Sequence, residues 1–445
     1  MEAPRIYKRI ANLAKGHING VISGIKDKGK NQKITKADFM FFSNPICRVL
    51  VNNCWYDRFC DPIRQELDKR GYYSLYMEML HDYRIPRYNS GTFIQSKLDH
   101  FKIESRLLIN DTSVSKWEGF IGLTEELAND WSIKISFKQV IRSIRYVDRL
   151  SNWYSDIIKK ARIKACFMIC YYSLEGMALS LACRKCGIPS IDIQHGVQGS
   201  GHRAYSSWTK VPRNGYELLP TFFWCWSDYE VDIISEWGKK AVDQHKAIVA
   251  GNPWLDKYQQ LAKSGVYRVE SKELDMLIHN KRRILLICLS GIPTFGVGLD
   301  DFLLDTMKNS DPSFLWLVRI HPSELSYQES ICAQLKERGI SNFDVELSSK
   351  LPLPLILERT NIHLTHWSTT ALEAAAYNIP TIFLDKKGPE FFREQISFNL
   401  LYFANDSESL HSAIDNAKCV NKTCGKSNNS LKDSVSLLLN TIKKN

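Results

Sequence analysis

Asn361-Ile362-His363-Leu364-Thr365-His366-Trp367-Ser368-Thr369-Thr370-Ala371-Leu372-Glu373-Ala374-Ala375-Ala376-Tyr377-Asn378-Ile379-Pro380-Thr381-Ile382-Phe383-Leu384 holds one whole architectural unit. An apolar run of strand length, Asn361–His366, turns through three hydroxyl residues into an alanine-rich helix, 369–377. Pro380 then opens a second apolar run, Pro380–Leu384. A strand, a crossover helix and a second strand predict a parallel pair, since parallel neighbours need such a connection.

The same alternation extends both ways. A helix is expected after Phe391. Upstream, Arg283–Ser290 reads as a strand running into a Gly-containing loop, Gly291–Gly298, and a helix from Leu299. Phe314–Ile320 is a strand that stops at His321-Pro322, and Asn342–Glu346 a third. Before the polar helical stretch Lys257–Arg282 lies a second series. Asp38–Ser43, Arg48–Asn52 and Tyr72–Glu78 are strand-like, with a helix at Asp61–Arg70 closed by Gly71. Phe137, Val140, Ile141, Ile144, Val147, Leu150 and Ile157 mark one face of a long helix. Strands then follow at Ala165–Tyr172, Ser190–Gln194, Trp224–Ser227 and Ala247–Ala250, with a helix 174–186 ending at Gly187.

The expected fold class is therefore α/β, with two tandem Rossmann-like, doubly wound domains at 37–265 and 266–430 and a closing helix at 431–445. In such sheets ligands sit beyond the carboxyl ends of the strands, so two carboxyl edges facing across a cleft would frame a site.

Composition fits an ordinary globular protein: of 445 residues, 44% are hydrophobic and 24% charged. No window approaches eighteen uninterrupted apolar residues, and the first residues lack the apolar core of a secretory signal, so a cytoplasmic protein is expected. The twelve cysteines are scattered through apolar runs and read as small buried hydrophobes. Cys183 and Cys186 lie in a helical pattern with no second pair at zinc spacing.

Of the net charge of +11, the stretch Arg5–Lys36 holds most: nine Lys or Arg against Asp27 alone, a local +8. Ile6, Ile10, Leu13, Ile18, Val21, Ile22 and Ile25 fall near helical spacing within it. A basic amphipathic helix suits an anionic membrane surface, and equally a solvated helix packed on its domain. Nucleic acid is not expected, because only Tyr7 interleaves the basic residues, too few aromatics to stack on bases.

Chemistry is expected at the strand ends. Alternation puts Arg319 and His321 on one side of their strand, and Pro322 breaks the ladder so that the imidazole projects. Fixed charge and a ring donor there suit a phosphate. Ser368, Thr369 and Thr370 open a helix whose free N–H groups either are capped by those hydroxyls or receive an anion. Glu373 closes a capping box from Thr370 or reaches a ribose hydroxyl. In the first half, Asp192-Ile193-Gln194-His195-Gly196 ends a strand, and Gly196 permits the sharp turn that leaves His195 at its mouth. No Asp-x-Asp signature stands at a strand end, so metal-independent chemistry without a cofactor is expected.

The order strand, Arg319-Ile320-His321-Pro322, helix, strand, Ser368-Thr369-Thr370, helix with Glu373 resembles the C-terminal half of GT-B-fold glycosyltransferases. It is most similar to the bacterial capsule, lipopolysaccharide and teichoic-acid transferases that use CMP-sugars or CDP-glycerol. Gln194-His195-Gly196 looks like the Gln-His-Gly of capsule and CDP-glycerol transferases, and Gly251-Asn252-Pro253-Trp254-Leu255-Asp256 like the Gly-x-Pro-x-x-Asp that closes their first domain. The resemblance covers about residues 165–400.

The resemblance implies donor binding by Arg319, His321, Pro322, Ser368, Thr369, Thr370 and Glu373, with Ser290 and Gly291 approaching the nucleotide. His195 takes the place of the base, with Asp192 or Glu175 as alternatives. Glu175-Gly176 matches half of the acidic-acidic-Gly motif of some sialyltransferases, but Leu174 replaces the first acid. Asp57, Asp61 and Gln194 would line the acceptor side. The implied activity is transfer of a sugar, from a CMP-activated acidic sugar such as Kdo or a sialic-acid-like sugar, to a lipid-linked or oligosaccharide acceptor at the inner face of the cytoplasmic membrane. CDP-glycerol transfer and sugar-nucleotide epimerisation are the alternatives, with a non-catalytic binding module as a third.

Overall fold

Phe39–Ser43 (β1) is buried along its whole length, as a strand covered on both faces must be. Around it the computed structural model describes residues 36–444 apart from 80–85, 90, 108–118, 132, 243, 290–298, 323, 419–421, 424 and 426–428. The basic segment, save Lys36, and the expected site residues Ser290 and Gly291 lie outside the described residues.

After β1 come a hairpin of β2 (Arg48–Val51) and β3 (Cys54–Asp57), then β4 (Ser74–Glu78), β5 (Thr92–Phe93), β6 (Ala165–Met168), β7 (Ser190–Ile193), β8 (Phe222–Cys225) and β9 (Lys246–Val249). Among the described residues the first sheet is seven-stranded, in the order β5-β4-β1-β6-β7-β8-β9, and every pair in it is parallel. The second half supplies β10 (Arg283–Cys288), β11 (Phe314–Arg319), β12 (Phe343–Asp344), β13 (Ile362–Thr365), β14 (Thr381–Phe383) and β15 (Leu401–Phe403). Its order is β12-β11-β10-β13-β14-β15, again all parallel.

Counted within each half, both sheets run 3-2-1-4-5-6, the first with one strand more at its edge. That is the Rossmann order, with its switch point between β1 and β6 in one half and between β10 and β13 in the other. Helices cover both faces. The long helix Phe137–Ala161 starts at a capping box of Ser136 and Gln139 and ends at Arg162 with φ 60°, and its buried stripe includes Leu150, Tyr154 and Ile158.

Three local differences have physical reasons. Asn342–Glu346 shortens to β12 because the Asp344 carboxylate accepts the backbone N–H groups of Leu347 (3.3 Å) and Ser348 (2.7 Å), starting a helix at Glu346–Lys350. The helix expected after Phe391 is Lys387–Phe392 instead. Arg48–Asn52 is half of a hairpin, turned by Asn52 and Asn53 at φ 48° and 58°, the left-handed pair of a two-residue turn.

Two of the connections between the halves are large apolar contacts. Val51 and Tyr56 of the hairpin pack in one apolar cluster with Trp254, Tyr258 and the β10 and β11 side chains Leu286 and Leu317. The helix Leu431–Lys444 returns to the first half, where Leu431, Val435, Leu438 and Leu439 cover Phe39, Phe41, Ile63 and Phe167. No helix among the described residues is long and apolar enough to cross a membrane.

Candidate active site between the facing strand ends

The two carboxyl edges meet. A methyl group placed on Gly196 would lie 3.5 Å from Thr369 Oγ1 of the other half. The Gln-His-Gly turn and the Ser-Thr-Thr turn are therefore in direct apposition.

On the first side, Gln194 is a clamp. Its Oε1 accepts the Trp226 backbone N–H at 2.6 Å, and its Nε2 donates to Gly196 O (2.9 Å) and Glu230 Oε1 (3.2 Å). Trp226 Nε1 closes the loop on Gln194 O at 3.1 Å. The turn so held carries the partly buried His195, whose ring stacks on Tyr172 with Nε2 3.4 Å from the Tyr172 hydroxyl. Burial pushes the imidazole down to about 4, and the charge of Arg58 acts in the same direction, so the ring is neutral at pH 7.

The carboxylates expected at the site in this half, Asp192, Asp57, Asp61 and Glu175, are engaged inside it. Asp192 accepts from Tyr171 N (3.1 Å), Tyr205 Oη (2.8 Å) and Gln198 Nε2 (3.5 Å), and burial raises it to about 7. Asp57 accepts from Phe59 N (2.9 Å), Cys60 N (2.8 Å), Tyr76 Oη (2.5 Å) and the Ser43 hydroxyl. Asp61 accepts from Asp57 N and Asn89 Nδ2, each at 2.7 Å, and burial followed by the Asp57 charge lifts it to about 6. Glu175 pairs with Tyr146 Oη (2.8 Å) and Lys102 Nζ (3.1 Å), on helices that cover the sheet.

These bonds fix the turn Asp57-Arg58-Phe59, and the turn delivers a cation that sequence reading missed. Arg58 is half-buried, its Nε without a hydrogen-bond partner, its guanidinium 4.7 Å from the Phe59 ring. Its charge acts on His195 of its own half and on Arg319, His321 and Glu373 of the other. The available signal was Asn52-Asn53, a hairpin turn that reverses the chain and returns residue 58 to the β1 edge.

On the second side, Arg319 Nη1 donates to Ser348 O (2.6 Å) and Leu351 O (2.7 Å), which holds the guanidinium beyond β11. His321 sits at the mouth, its imidazole lowered by partial desolvation and by the Arg58 and Arg319 charges against the opposing Glu324, while Glu324 N donates to its carbonyl at 2.8 Å. Pro322 follows and, with Arg319, faces the hairpin residues Arg48 and Trp55. Ser368 Oγ accepts from Thr370 N at 3.3 Å, whereas Thr369 makes no side-chain cap. The Thr370 hydroxyl turns inward to His363 Nε2 at 3.0 Å. Glu373 is buried, its Oε2 without a partner, and burial raises its carboxyl against the pull of Arg58 and Arg319.

A second contact that sequence reading missed crosses the switch point: His366 Nε2 lies 2.7 Å from Asp300 Oδ2. Among the described residues no group of three or more His, Cys, Asp or Glu is placed to hold a metal ion. The cleft thus presents two arginines whose charges act on one buried carboxylate and on His321 at the mouth, opposite a neutral imidazole.

No protein-family model matches the chain, and no curated protein matches it. Solved structures do. The chain is similar to a UDP-GlcNAc 2-epimerase of Methanocaldococcus jannaschii in complex with UDP-GlcNAc and UDP, at 12% identity over 92% of this chain and 100% of that one, with a TM-score of 0.54. It is similar to the UDP-GlcNAc 2-epimerase of Neisseria meningitidis bound to UDP-GlcNAc (13%, 92% and 100%, 0.52) and to S. aureus MnaA with UDP (11%, 92% and 96%, 0.53). At such identities the likeness is one of fold. The chain has the GT-B-like α/β architecture of two Rossmann-like domains that its sequence led us to expect.

Proposed function

We propose that this protein is an enzyme that binds a nucleotide-activated sugar between its halves and moves the sugar, with His195 as the proton acceptor. One observation carries the reading: the charges of Arg58 and Arg319, one from each half, act both on the buried Glu373 and on His321 at the mouth, opposite the neutral His195. Cations spread over both sides of a cleft favour a multiply charged anion that bridges them, as a nucleotide phosphate does.

In transfer, the acceptor hydroxyl gives its proton to the imidazole, its oxygen bonds to the anomeric carbon, and the bond from that carbon to phosphate breaks. The leaving nucleotide carries the electron pair into the field of Arg58, Arg319 and His321, which makes a metal unnecessary. Ser368 and Thr369 are proposed to face the donor, and Gln194 to set the register of the base. We keep as acceptor a lipid-linked or oligosaccharide chain of a capsule or lipopolysaccharide, reached from the inner face of the membrane through the basic segment 1–36. The nucleotide is CMP, as the resemblance implies, or UDP, which the solved epimerases of this fold bind.

Epimerisation is the second reading, favoured by the shared fold of the UDP-GlcNAc 2-epimerases. Melting the protein against CMP, CDP, UDP and GDP identifies the nucleotide, since a ligand of the folded state raises the midpoint with concentration. The matching sugar nucleotide is then incubated with and without lipid-linked glycan. Acceptor-dependent consumption establishes transfer, and isomerised or free sugar without acceptor establishes epimerisation. If no nucleotide shifts the melting temperature, the proposal fails.

A further inference from the structure

Exposed aliphatic side chains gather at one corner of the first half. Ile121 and Leu123 lie on the helix Phe120–Trp131, Ile133 and Ile135 in the link that follows it, and Ile144 on the long helix Phe137–Ala161. The link and the start of the long helix are also basic: from 131 to 147 there are four Lys or Arg and no acid. Ile133 (43% exposed), Lys134 and Ile135 (37%) all face solvent. Lys138, Arg142, Arg145 and Arg149 then follow at i, i+4, i+7 and i+11, the spacing of one helix face.

The acids nearest this row are engaged within the half. Glu104 accepts from Arg149 Nη1 (2.7 Å), Asp148 pairs with Lys185 Nζ (3.0 Å) and Glu175 with Lys102 Nζ (3.1 Å). The exposed Glu125 and Glu126 belong to the helix before the link, which bounds the patch on that side. What remains is a positive surface set with aliphatic side chains, a composition that suits the headgroup layer of an anionic bilayer. Single-stranded nucleic acid would be served by exposed aromatic rings among the cations, and the exposed apolar side chains described here are aliphatic.

The corner stands on the side of the site. The Tyr154 ring lies 6.2 Å from that of Phe42, one residue before the end of β1, and Tyr146 Oη reaches Glu175 in the first turn of the helix after β6 at 2.8 Å. The long helix therefore passes the carboxyl edge of the sheet near Tyr146. Residues 137–145 carry it roughly 14 Å further at 1.5 Å per residue. The basic row thus projects beyond the edge from which His195 turns out of the neighbouring strand β7.

We propose that this corner, residues 133–145, docks on an anionic membrane surface, with Ile133, Ile135 and Ile144 entering the headgroup layer and the cations around them pairing with lipid phosphate. The proposal goes beyond the membrane contact given above to segment 1–36, and it rests on the proposed function only in taking the acceptor to be lipid-linked.

Co-sedimentation of the full chain with vesicles of phosphatidylcholine alone, and of phosphatidylcholine with phosphatidylglycerol, tests it. The wild-type chain should bind only the anionic vesicles, and less as salt is raised. Lys134→Gln with Lys138→Gln should weaken binding about twentyfold, the worth of two cations at such a surface. Ile133→Ser with Ile135→Ser should weaken it at least about tenfold, for the aliphatic area no longer withdrawn from water. All four side chains are exposed, so the melting temperature and its shift by nucleotide should stay as in the wild type. Hydrogen exchange of the link 133–136 should slow on the anionic vesicles. Wild-type binding by either variant, or unchanged exchange in the link, overturns the proposal and leaves any membrane contact to segment 1–36. Failure of the wild-type chain to bind anionic vesicles, or equal binding to neutral ones, overturns it as well. Vesicle binding without any nucleotide shift leaves the corner standing and removes the proposed function, and the reverse result removes the corner alone.

Discussion

In the first half Asp57 accepts four hydrogen bonds and Asp192 three, whereas in the second Glu373 leaves one carboxylate oxygen without a donor. Both edges belong to sheets with the same strand order, and both bury carboxylates. They differ in whether the protein itself completes the polar groups. A satisfied buried carboxylate is scaffold, while an unsatisfied one beside free charge is where a ligand is expected. Asp57 and Asp61 were expected at the acceptor side; their bonds make them the frame that aims Arg58.

The comparison can be attacked through four experiments. The largest effect is expected at His195, partly buried at the mouth of the first edge. His195→Ala should lower turnover by about 10²–10⁴-fold, the usual worth of a positioned proton acceptor, and leave nucleotide affinity nearly unchanged. The pH profile sharpens this. A base is active when deprotonated, and the folded imidazole sits near 4, so kcat/KM should hold through the ordinary histidine range and fall only as pH descends toward that value. A fall centred on the ordinary histidine value would mean that the ring is not held as described.

Next comes Asp57→Ala, which orphans four donors in a buried network. A loss of about 3 kcal/mol or more of stability is expected in urea unfolding, as for other buried polar networks. An unchanged midpoint with lost activity would move Asp57 from scaffold to chemistry and erase the contrast between the edges.

His321→Ala should weaken nucleotide binding about tenfold to a hundredfold, the worth of one charge-assisted bond, with the melting temperature of the free protein kept. Unimpaired binding, read by titration calorimetry, would dissolve the phosphate cluster. The smallest effect is expected from Ser368→Ala with Thr369→Ala. Thr369 caps nothing and Ser368 makes one long bond, so stability should fall by at most about 1 kcal/mol, and nucleotide affinity should fall by more. If only the melting temperature moves, the hydroxyls serve the helix alone.

Much of this was legible from punctuation. Pro322, Gly187, Gly196 and Pro380 mark where strands and helices stop, and stops at strand mouths are where the site residues were sought. Arg319, His321 and His195 were sought in that way, and Glu373 from its place in the first turn of a helix. What escaped depends on the third dimension. Nothing local in Asp57-Arg58-Phe59 says that its cation crosses to the other half; that follows from a hairpin whose turn, Asn52-Asn53, was read as the end of one strand. The hydroxyl of Thr370 was counted for the ligand, yet its direction is set by His363, seven residues earlier and buried between Thr370 and Thr381. The His366–Asp300 pair joins two elements whose meeting is decided by sheet order and cannot be seen in spacing.

The returning helix Leu431–Lys444 has a consequence in time. It supplies Leu431, Val435, Leu438 and Leu439 to the face of the first sheet and bonds back to it through Ser434 Oγ to Ala250 O at 2.8 Å. A ribosome adding about 5–20 residues per second needs roughly ten to forty seconds to go from Ala250 to this helix. Throughout that interval the finished strands β1, β6 and β7 wait with an uncovered apolar face, so the half made first is completed last. Nascent chains stalled before residue 431 should therefore be the ones that chaperones hold and proteases cut.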